Sequence, residues 1–301
     1  MKHIQPDRCV KMERSISVGN RKIGDGHPVY VVAEVGLNHN GSLDIAKKLI
    51  DAAKHSGVDA VKFQKRTPEL CVPVDQRSQM RETPWGYITY LDYRYKVEFG
   101  KEEYAEIDRY CKEVGIDWFA SPWDEPSVEF LEQFDPVCQK IPSAALTDAG
   151  LLQKLKSTRR PLILSTGMST MDQIHKSVSL MDLDHLIICH TTSTYPCDPT
   201  EINLHMVETL RREFPCPIGY SGHEVGLIPS VVAVGLGACM VERHITLDRA
   251  MWGSDQAASV EPGGFERLVK YIRVTEQAMG AGVKRVYDSE IPVMKKLRRV
   301  M

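Results

Sequence analysis

Eight short runs of apolar residues recur along this chain, and helix-like stretches of mixed polarity separate them. Each run has the length of a strand, and polar or ionisable residues stand at its carboxyl end. The runs are VYVVAE, AVKFQ, IDWFAS, PVCQKIPS, PLILST, LIICHTT, PIGYSGH and ACMVERHI. An unbroken alternation of eight strands with helices is typical of a closed parallel barrel. The sequence therefore predicts an α/β fold, a (β/α)8 TIM barrel.

Helices are predicted in the intervals between these strands. Ser42 is placed as an N-cap before the amphipathic run LDIAKKLIDAAKHSG, which Gly57 ends. Further helices are predicted over 101–114, 125–133, 148–156, 170–180, 200–213, 225–236 and 262–279. No GxGxxG follows the first strand, so the sequence does not favour an open dinucleotide-binding sheet.

The chain of 301 residues is predicted to form one domain, because barrels of this kind often use about 250 residues as one unit. Residues 14–30 alternate in polarity around Gly19-Asn20, which predicts an N-terminal β-hairpin that closes the bottom of the barrel. The barrel is expected over 31–285 and a short basic tail over 286–301. An aromatic-rich insertion between Lys65 and Gly100 is either a functional lid or a segment packed against the barrel.

The charge and composition of the chain limit which partners and which cellular compartment are expected. A net charge of −2 argues against nucleic acid as a partner. No apolar stretch is long enough to span a bilayer, and the N-terminal segment MKHIQPDRCVKMERS lacks the apolar core of a signal peptide. A cytoplasmic protein without membrane contact is therefore expected. The eight cysteines, Cys9 among them, show no CxxC pairing, which predicts reduced and mostly buried thiols.

The carboxyl ends of the predicted strands carry the polar residues that could perform chemistry. They are Glu34, Lys62 with Gln64, Ser121, Lys140 with Ser143, Ser165 with Thr166, His190 with Ser193, Ser221 with His223, and Glu242 with His244. In a (β/α)8 barrel all of these ends face one common mouth, so residues far apart in the sequence meet there. An active site is predicted at this mouth.

His223 and His244 end two strands that are neighbours in a closed barrel, so their imidazoles can share one divalent metal. Glu242 and Asp255 are close in sequence and strengthen this interpretation. Two imidazoles with oxygen ligands suit Mn, Co or Fe, and a metal with open coordination positions is expected. The alternative is that each histidine only forms hydrogen bonds.

Lys62 and Lys140 end the second and fourth strands, where two ammonium groups can hold a phosphate and a carboxylate. The alternatives are two salt-bridged lysines, or a Schiff base on Lys62. Five hydroxyl-bearing residues around the same mouth favour a phosphorylated or polyhydroxy ligand; they are Ser143, Ser165, Thr166, Ser193 and Ser221.

Glu34 precedes the segment VGLNHNG, in which Gly36 and Gly41 permit a tight loop. Its carboxylate is expected at the mouth, where it can bind sugar hydroxyls or transfer a proton. The alternative is a buried acid paired with a neighbouring lysine.

Seven segments, in this order along the chain, resemble the sialic acid synthase family, also called the N-acetylneuraminate synthase or NeuB-like family. They are AEVGLNHNG, DAVKFQ, KIPSA, LSTGMS, TSTYP, YSGH and VERHITLD. The resemblance spans roughly residues 15–285 and implies condensation of phosphoenolpyruvate with an open-chain aldose such as N-acetylmannosamine. Phosphate is released, and the product is a 2-keto-3-deoxy sugar acid.

The resemblance also implies roles for individual residues. Phosphoenolpyruvate would be held by Lys62, Lys140, Ser143, Ser165, Ser193 and Ser221. The sugar would be contacted by Glu34, Gln64, Tyr195 and Asp255. His223 and His244 would hold the divalent metal, foremost Mn²⁺, with Mg²⁺ or Co²⁺ as alternatives, and the metal would polarise the aldehyde as a Lewis acid. A homo-oligomer is a further implication.

Three positions depart from the family pattern. Ser193 stands where some members have Asn, Ala145 replaces a frequent Glu, and Gly222 replaces the usual Asp. The family's C-terminal antifreeze-like domain would begin near residue 301, so a synthase without that domain is expected.

Rival interpretations are a related synthase that uses a different aldose or a sugar phosphate, a metal-dependent aldolase that uses pyruvate, and a noncatalytic barrel that binds a sugar or a partner protein.

Overall fold

The computed structural model describes residues 14–300, so Cys9, the other N-terminal residues and Met301 lie outside the described part. The strands of this part are β1 Ser15–Val18, β2 Arg21–Gly24, β3 Tyr30–Gly36, β4 Ala60–Lys65, β5 Met80–Thr83, β6 Gly86–Thr89, β7 Asp117–Pro122, β8 Gln139–Ile141, β9 Leu162–Ser165, β10 Leu186–Thr191, β11 Ile218–Gly222 and β12 Met240–His244.

A closed barrel is formed by β3, β4 and β7 to β12, with neighbours following one another in chain order. Every barrel pairing is parallel, including the closing pair of β12 with β3. Each of the eight predicted runs contains one of these strands, so the (β/α)8 barrel is confirmed. Their buried apolar side chains explain the short continuous runs, because strands of a parallel barrel are covered on both faces.

The helices are α1 Leu43–His55, α2 Pro68–Cys71, α3 Tyr90–Val97, α4 Lys101–Val114, α5 Glu125–Glu132, α6 Ala149–Ser157, α7 Met171–Val178, α8 His205–Glu213, α9 Ile228–Gly235, α10 Pro262–Met279 and α11 Ile291–Leu297. The predicted N-cap is present, since Ser42 Oγ accepts a hydrogen bond from the Ile45 amide at 3.3 Å.

Two helices begin several residues later than predicted, and backbone geometry explains both differences. The interval 200–213 contains α8 only from His205, because Asn203 adopts a left-handed conformation with φ of 50°. The interval 225–236 contains α9 only from Ile228, because Gly226 has φ of 91°. A left-handed residue cannot continue a right-handed helix, so each helix begins after it.

The predicted N-terminal hairpin is formed by β1 and β2 around the Gly19-Asn20 turn. Ile16, Val18 and Ile23 are buried, and they pack in one cluster with the barrel residues Tyr30 and Val32. This packing fills the amino-terminal end of the barrel with apolar side chains. A polar site can therefore form only at the opposite end of the barrel, where the carboxyl ends of the strands meet.

The insertion between Lys65 and Gly100 folds into α2, the β5–β6 hairpin and α3. Its aromatic rings pack against Trp252, with centroid distances of 6.3 Å from Trp85 and 5.3 Å from Tyr93. Trp252 belongs to the segment that follows β12, the strand that ends at His244. The insertion therefore covers one side of the mouth of the barrel.

The segment predicted as a basic tail contains the short helix α11, and its residues Val293 and Leu297 are exposed. Within residues 14–300, none of the helices combines the length and the apolar character that a bilayer crossing requires. The described cysteines are free thiols, and all are buried except the half-buried Cys71.

Candidate active site

A polar pocket with a volume of about 190 Å³ opens at the carboxyl end of the barrel. Eleven of the twelve residues predicted for the site line this pocket, namely Glu34, Lys62, Gln64, Lys140, Ser143, Ser165, Ser193, Tyr195, Ser221, His223 and His244. The twelfth, Asp255, lies next to the pocket, with Oδ2 at 3.9 Å from Nδ1 of His244. The convergence follows from the barrel, because the residues come from seven strands and the loops that follow them.

A buried ion cluster occupies the floor of the pocket. Lys62 Nζ lies 2.7 Å from Oε1 of Glu242 and 3.1 Å from Oε2 of Glu34. Burial alone would lower the pKa of Lys62, but the carboxylates of Glu242 and Glu34 outweigh it and raise that pKa. Lys62 therefore carries its charge, and in the ligand-free protein it is the salt-bridged lysine of the alternative interpretation.

The two carboxyl groups of this cluster differ in their proton affinity. Burial would raise the pKa of Glu242, but the ammonium groups of Lys140 and Lys62 lower it below its ordinary value. For Glu34 burial dominates, and its pKa is raised in spite of Lys62 and His244. Glu242 is thus the fixed anion of the pocket, while Glu34 is the carboxyl group that more readily holds a proton.

Lys140 has a more distant carboxylate partner than Lys62. Its Nζ donates to Ser165 Oγ at 2.5 Å and lies 3.8 Å from Oε1 of Glu242. Burial is the main reason that the pKa of Lys140 is lowered from its ordinary value. An anion that enters the pocket would relieve this unfavourable burial of charge, so Lys140 is suited to bind one.

Hydroxyl groups surround the same region, and a glycine leaves them the space. Ser143 Oγ accepts a hydrogen bond from the Gly167 amide at 3.1 Å. A Cβ atom on Gly167 would lie 2.1 Å from Oγ of Ser193 and 2.8 Å from Oγ of Ser143. Only glycine permits this approach, so the backbone amide and both hydroxyls converge as a group that can bind anions.

The two histidines lie side by side, with ring centroids 5.6 Å apart. Nδ1–H of His223 donates to the Thr192 carbonyl oxygen at 2.7 Å, which leaves Nε2 with its lone pair. Burial and the neighbouring His244 lower the pKa of His223 to about 3, so its ring is neutral. Nδ1 of His244 is buried and has no hydrogen-bond partner among the described residues.

These features fit a divalent metal that takes its other ligands from substrate or water. A neutral imidazole is the form that ligates metals, and both rings have a nitrogen free to do so. Among residues 14–300, no three or more Asp, Glu, His or Cys side chains are arranged as a potential metal site. The two histidines alone would supply two ligands, fewer than the four protein ligands of a structural zinc site.

Tyr195 packs against this pair at the rim, tilted to His223 and edge-on to His244. Its ring centroid lies 4.0 Å from that of His223 and 5.7 Å from that of His244. The tyrosine is 43% exposed, so one side of its ring faces the open mouth.

The sequence analysis did not select Trp123, which lines the pocket, and it expected His190 at the mouth, although His190 does not line the pocket. Glu242 was assigned to the surroundings of the metal, whereas it contacts Lys62 and Ser221, the latter at 2.9 Å. Trp123, which follows β7, lines the pocket and was not selected. His190 does not line it, because Nε2 forms a hydrogen bond of 2.6 Å with the Ile202 carbonyl. The motif SPWDE contained the missing tryptophan, but nothing in its spacing pointed to a ligand.

Unsatisfied polar atoms concentrate at the mouth. Ten buried side-chain nitrogen or oxygen atoms of the described residues have no hydrogen-bond partner, and five belong to the pocket or its edge: Glu34 Oε2, Arg66 Nη1, Trp123 Nε1, Glu242 Oε2 and His244 Nδ1. Glu34 Oε2 still has the charge of Lys62 at 3.1 Å. Because buried polar groups are normally paired, this concentration indicates a site that a ligand completes.

Comparison with known proteins gives a consistent picture. The chain matches the NeuB family over residues 49–284. It is 39% identical over 283 residues to the N-acetylneuraminate-9-phosphate synthase of Homo sapiens, which covers 92% of this chain and 78% of that relative. It is 34% identical over 295 residues to the N,N'-diacetyllegionaminic acid synthase of Legionella pneumophila, with coverages of 93% and 83%.

The fold is similar to a solved structure of the N-acetylneuraminic acid synthetase from Leptospira borgpetersenii serovar Hardjo-bovis in complex with citrate. The TM-score is 0.84 at 30% sequence identity, and the match covers 96% of this chain and 99% of that one.

Proposed function

The chain belongs to the NeuB family, and on that premise we propose that it condenses phosphoenolpyruvate with an open-chain aldose in a metal-dependent reaction. The aldose resembles N-acetylmannosamine, and the products are a sialic-acid-type 2-keto-3-deoxy sugar acid and phosphate. One observation carries the proposal: two buried lysines, a group of hydroxyls and a pair of adjacent histidines line a single pocket. The lysines and hydroxyls can bind an anion, and the histidines beside them can activate a carbonyl through a metal.

Phosphoenolpyruvate occupies the lysine and serine side of the pocket. Lys140 donates to the Ser165 hydroxyl, and its carboxylate neighbour Glu242 lies at 3.8 Å, so an incoming anion can complete its charge pairing. The hydroxyls of Ser143 and Ser193, together with the Gly167 amide, form the polar group beside it. Lys62 and the remaining hydroxyls, from Ser165 and Ser221, complete the set that binds the phosphate and the carboxylate.

The aldose occupies the histidine side. His223 and His244 hold a divalent cation, foremost Mn²⁺ with Mg²⁺ or Co²⁺ as alternatives, and a bound cation supplies Lewis-acid polarisation of the carbonyl. The sugar hydroxyls are received by the side chains of Glu34, Gln64, Tyr195 and Asp255. Gln64 Nε2 donates to Glu34 Oε1 at 2.8 Å, which orients both side chains toward one ligand.

In the reaction, C3 of phosphoenolpyruvate forms a bond to the aldehyde carbon, and the carbonyl oxygen becomes the new hydroxyl by taking a proton. Water adds at C2 and loses one proton, and the bond between C2 and the phosphate oxygen then breaks. As phosphate leaves with the electron pair of that bond, the new C2 hydroxyl becomes the keto group and releases its remaining proton. Glu34 is the group best suited to hold a proton near the sugar oxygens, because burial raises its pKa. Lys62 and Lys140 stabilise the anionic substrate and the departing phosphate.

The first test is phosphate release from phosphoenolpyruvate with Mn²⁺ across a panel of aldoses. The panel contains N-acetylmannosamine, its 6-phosphate, mannose and diacetamido hexoses. We expect release that depends on one of these acceptors, and the Lys140→Ala variant serves as a control that folds but binds the anion poorly. Release without any acceptor would indicate simple hydrolysis, and no release with any acceptor would contradict the proposed function.

A further inference from the structure

We infer that Asn38 is a positioning residue for the acceptor aldose, because its buried side chain ties the segment that carries Asp255 to the strand end that carries Glu34. The inference rests on the proposed function and deepens it, since both carboxylates are proposed to receive sugar hydroxyls. Asn38 stands in the loop between β3 and α1, within the motif VGLNHNG. Asp255 stands in the segment 245–261, which connects β12 with α10.

The side chain of Asn38 joins parts of the chain that are far apart in sequence. Asn38 is 2% exposed, and its Nδ2 donates to the Ile245 carbonyl oxygen and to Ser259 Oγ, both at 2.8 Å. These two acceptors lie near opposite ends of the segment 245–261. Both donors of the carboxamide are therefore used, and one side chain holds the two ends of the segment together.

Ser259 extends this constraint to Asp255. While it accepts from Asn38, Ser259 Oγ donates to the backbone carbonyl oxygen of Asp255 at 2.7 Å. The Asp255 carboxylate is held as well, since Oδ1 accepts from the Ser254 hydroxyl at 2.7 Å and Oδ2 lies 3.9 Å from Nδ1 of His244. The position of Asp255 at the edge of the pocket is thus set through Asn38.

A second link to the same segment uses the backbone of Asn38. Gln256 is 1% exposed, and its Nε2 donates to the Asn38 carbonyl oxygen at 3.3 Å. Its Oε1 accepts from Thr246 Oγ1 at 2.5 Å, which joins the beginning of the segment to its middle. Since Gln256 directly follows Asp255, the residues that hold Asp255 from both directions are bound to Asn38.

The strand end that carries Glu34 is joined to the same hydrogen bonds. The Ile245 amide donates to the Glu34 carbonyl oxygen at 2.9 Å, and the Ile245 carbonyl oxygen accepts from Asn38. The Asn38 amide donates to the Val35 carbonyl oxygen at 2.9 Å, which closes a turn directly after Glu34. Glu34 and Asp255 therefore belong to one hydrogen-bonded network, with Asn38 between them.

The residues that follow Asn38 attach its loop to the insertion. The ring of His39 stacks on that of Phe99, with centroids 4.0 Å apart. A Cβ atom on Gly41 would lie 2.2 Å from the carbonyl oxygen of Lys96, so only glycine lets the loop approach α3 this closely. The loop is fixed from this side, and it cannot shift to compensate for a change at Asn38.

Asparagine is the residue type that suits this position. Its carboxamide combines two donors with a compact shape, whereas an ionised aspartate of the same size has acceptors only. In Asn38→Asp a carboxylate oxygen would face the Ile245 carbonyl oxygen, which is itself an acceptor. That variant therefore removes the bonds of Asn38 without changing the size of the side chain.

Steady-state kinetics that separates the two substrates is the main test. In Asn38→Ala and Asn38→Asp the KM for the reactive aldose should rise about 10-fold or more, because buried hydrogen bonds that hold Asp255 are lost. The KM for phosphoenolpyruvate should change less than about 2-fold, because its proposed lysine and serine ligands are not the partners of Asn38. Equal rises of both constants would overturn the inference and leave Asn38 a purely structural residue.

Variants of Ser259 test the same network with a smaller change. Ser259→Ala removes only the hydroxyl between Asn38 and Asp255, and it should raise the KM for the aldose selectively. Ser259→Thr keeps a hydroxyl and should restore the wild-type KM. Gln139→Ala is the control, because Gln139 is a fully buried carboxamide that begins β8 and is bonded to Glu132. It should lower the stability without a selective rise in the KM for the aldose.

A double-mutant cycle shows whether Asn38 acts through Asp255. The variant that combines Asn38→Ala with Asp255→Ala should have an aldose KM within about 2-fold of that of Asp255→Ala alone, because the group that Asn38 positions is already absent. Full multiplication of the two single effects would overturn the inference.

Hydrogen exchange separates this inference from the proposed function, because it needs no substrate. In Asn38→Ala and Ser259→Ala the backbone amides of 246–260 should exchange faster than in the wild type, while those of the other segments keep their rates. Wild-type exchange in both variants would overturn the positioning role even if the condensation occurs. Faster exchange confined to this segment would support that role even if no tested aldose reacts.

Discussion

Lys62 and Glu242 form a buried ion pair on the floor of the pocket, with Nζ 2.7 Å from Oε1. Their strands are not adjacent, because β3 lies between β4 and β12 and contributes Glu34 to the same cluster. The ligand-free pocket thus contains its own counter-ion. A dianionic substrate that enters beside Lys62 and Lys140 competes with the Glu242 carboxylate for the same cations, and this competition can be measured.

Glu242→Gln should destabilise the protein and strengthen its response to phosphoenolpyruvate. Removing one partner of a buried ion pair costs on the order of 3–5 kcal/mol of unfolding free energy, although Glu34 retains part of the pairing here. Because the variant has one anion fewer, phosphoenolpyruvate should raise its melting temperature more than that of the wild type. Glu224→Gln is the matched control, since it breaks a buried ion pair with Arg243 that does not line the pocket. A smaller ligand-induced shift in Glu242→Gln would contradict the competition.

Lys140→Ala should raise the KM for phosphoenolpyruvate more than the KM for the aldose. The residue is buried, and Ser165 is its hydrogen-bond partner at 2.5 Å, so its charge is available to the substrate anion. Loss of one charge-assisted contact corresponds to roughly 1.5–3 kcal/mol. Steady-state kinetics with each substrate varied in turn measures the two constants. The opposite order would assign Lys140 to the aldose.

Lys140 should also determine the alkaline limb of kcat/KM for phosphoenolpyruvate. Burial lowers its pKa from 10.5, so the ammonium group loses its proton below the pH expected for an exposed lysine. Only the protonated form binds the anion, and kcat/KM should therefore fall as the pH rises through this lowered pKa. In Lys140→Arg the guanidinium stays protonated, and the limb should move to higher pH. An unchanged limb in that variant would assign it to another group.

The barrel and most of its site were predictable from the sequence because both depend on local pattern. Strand-length apolar runs define the barrel, and its topology places every strand end at one mouth, which is why His223 and His244 were expected together. Glu242 was expected at the mouth and was noted beside the histidines, and the alternation along β12 places it on the same face as His244. Its contact with Lys62 depends on how strands stagger around the closed barrel, and a sequence does not contain that stagger.

The edge of the pocket was not predictable for a different reason. Arg66 Nη1 and Trp123 Nε1 are buried without hydrogen-bond partners, and the absence of a partner is a property of the packed structure. The sequence likewise did not distinguish Trp123 from the other aromatic residues. Its contact with Arg66 is visible only in the structure. Gly167 lies in a motif that the sequence analysis noted, but its role follows from two hydroxyls brought within 3 Å of its missing Cβ.

Gly167→Ala should impair binding of phosphoenolpyruvate. The new methyl group would lie 2.1 Å from Oγ of Ser193 and 2.8 Å from Oγ of Ser143, so both hydroxyls must move. Overpacking of this kind costs about 1–3 kcal/mol, and the KM for phosphoenolpyruvate should rise about 10-fold or more. Ser193→Ala removes the nearer hydroxyl, so a double-mutant cycle should show that Gly167→Ala costs less in that background. Additive effects would show that the clash is absent.

His223→Ala and His244→Ala should each abolish metal-dependent turnover and leave the fold largely intact. Each removes one of the two imidazoles proposed to hold the metal, so Mn²⁺ affinity should fall by about 100-fold or more, beyond the 10–100-fold effect of losing an outer partner. Titration of Mn²⁺ followed by electron paramagnetic resonance measures binding without reference to activity, and circular dichroism checks the fold. His190→Ala is the matched control, because His190 ends a neighbouring strand but is bonded to the Ile202 carbonyl outside the pocket. It should lower stability and keep the Mn²⁺ affinity, whereas wild-type turnover in either His223→Ala or His244→Ala would remove the proposed metal site.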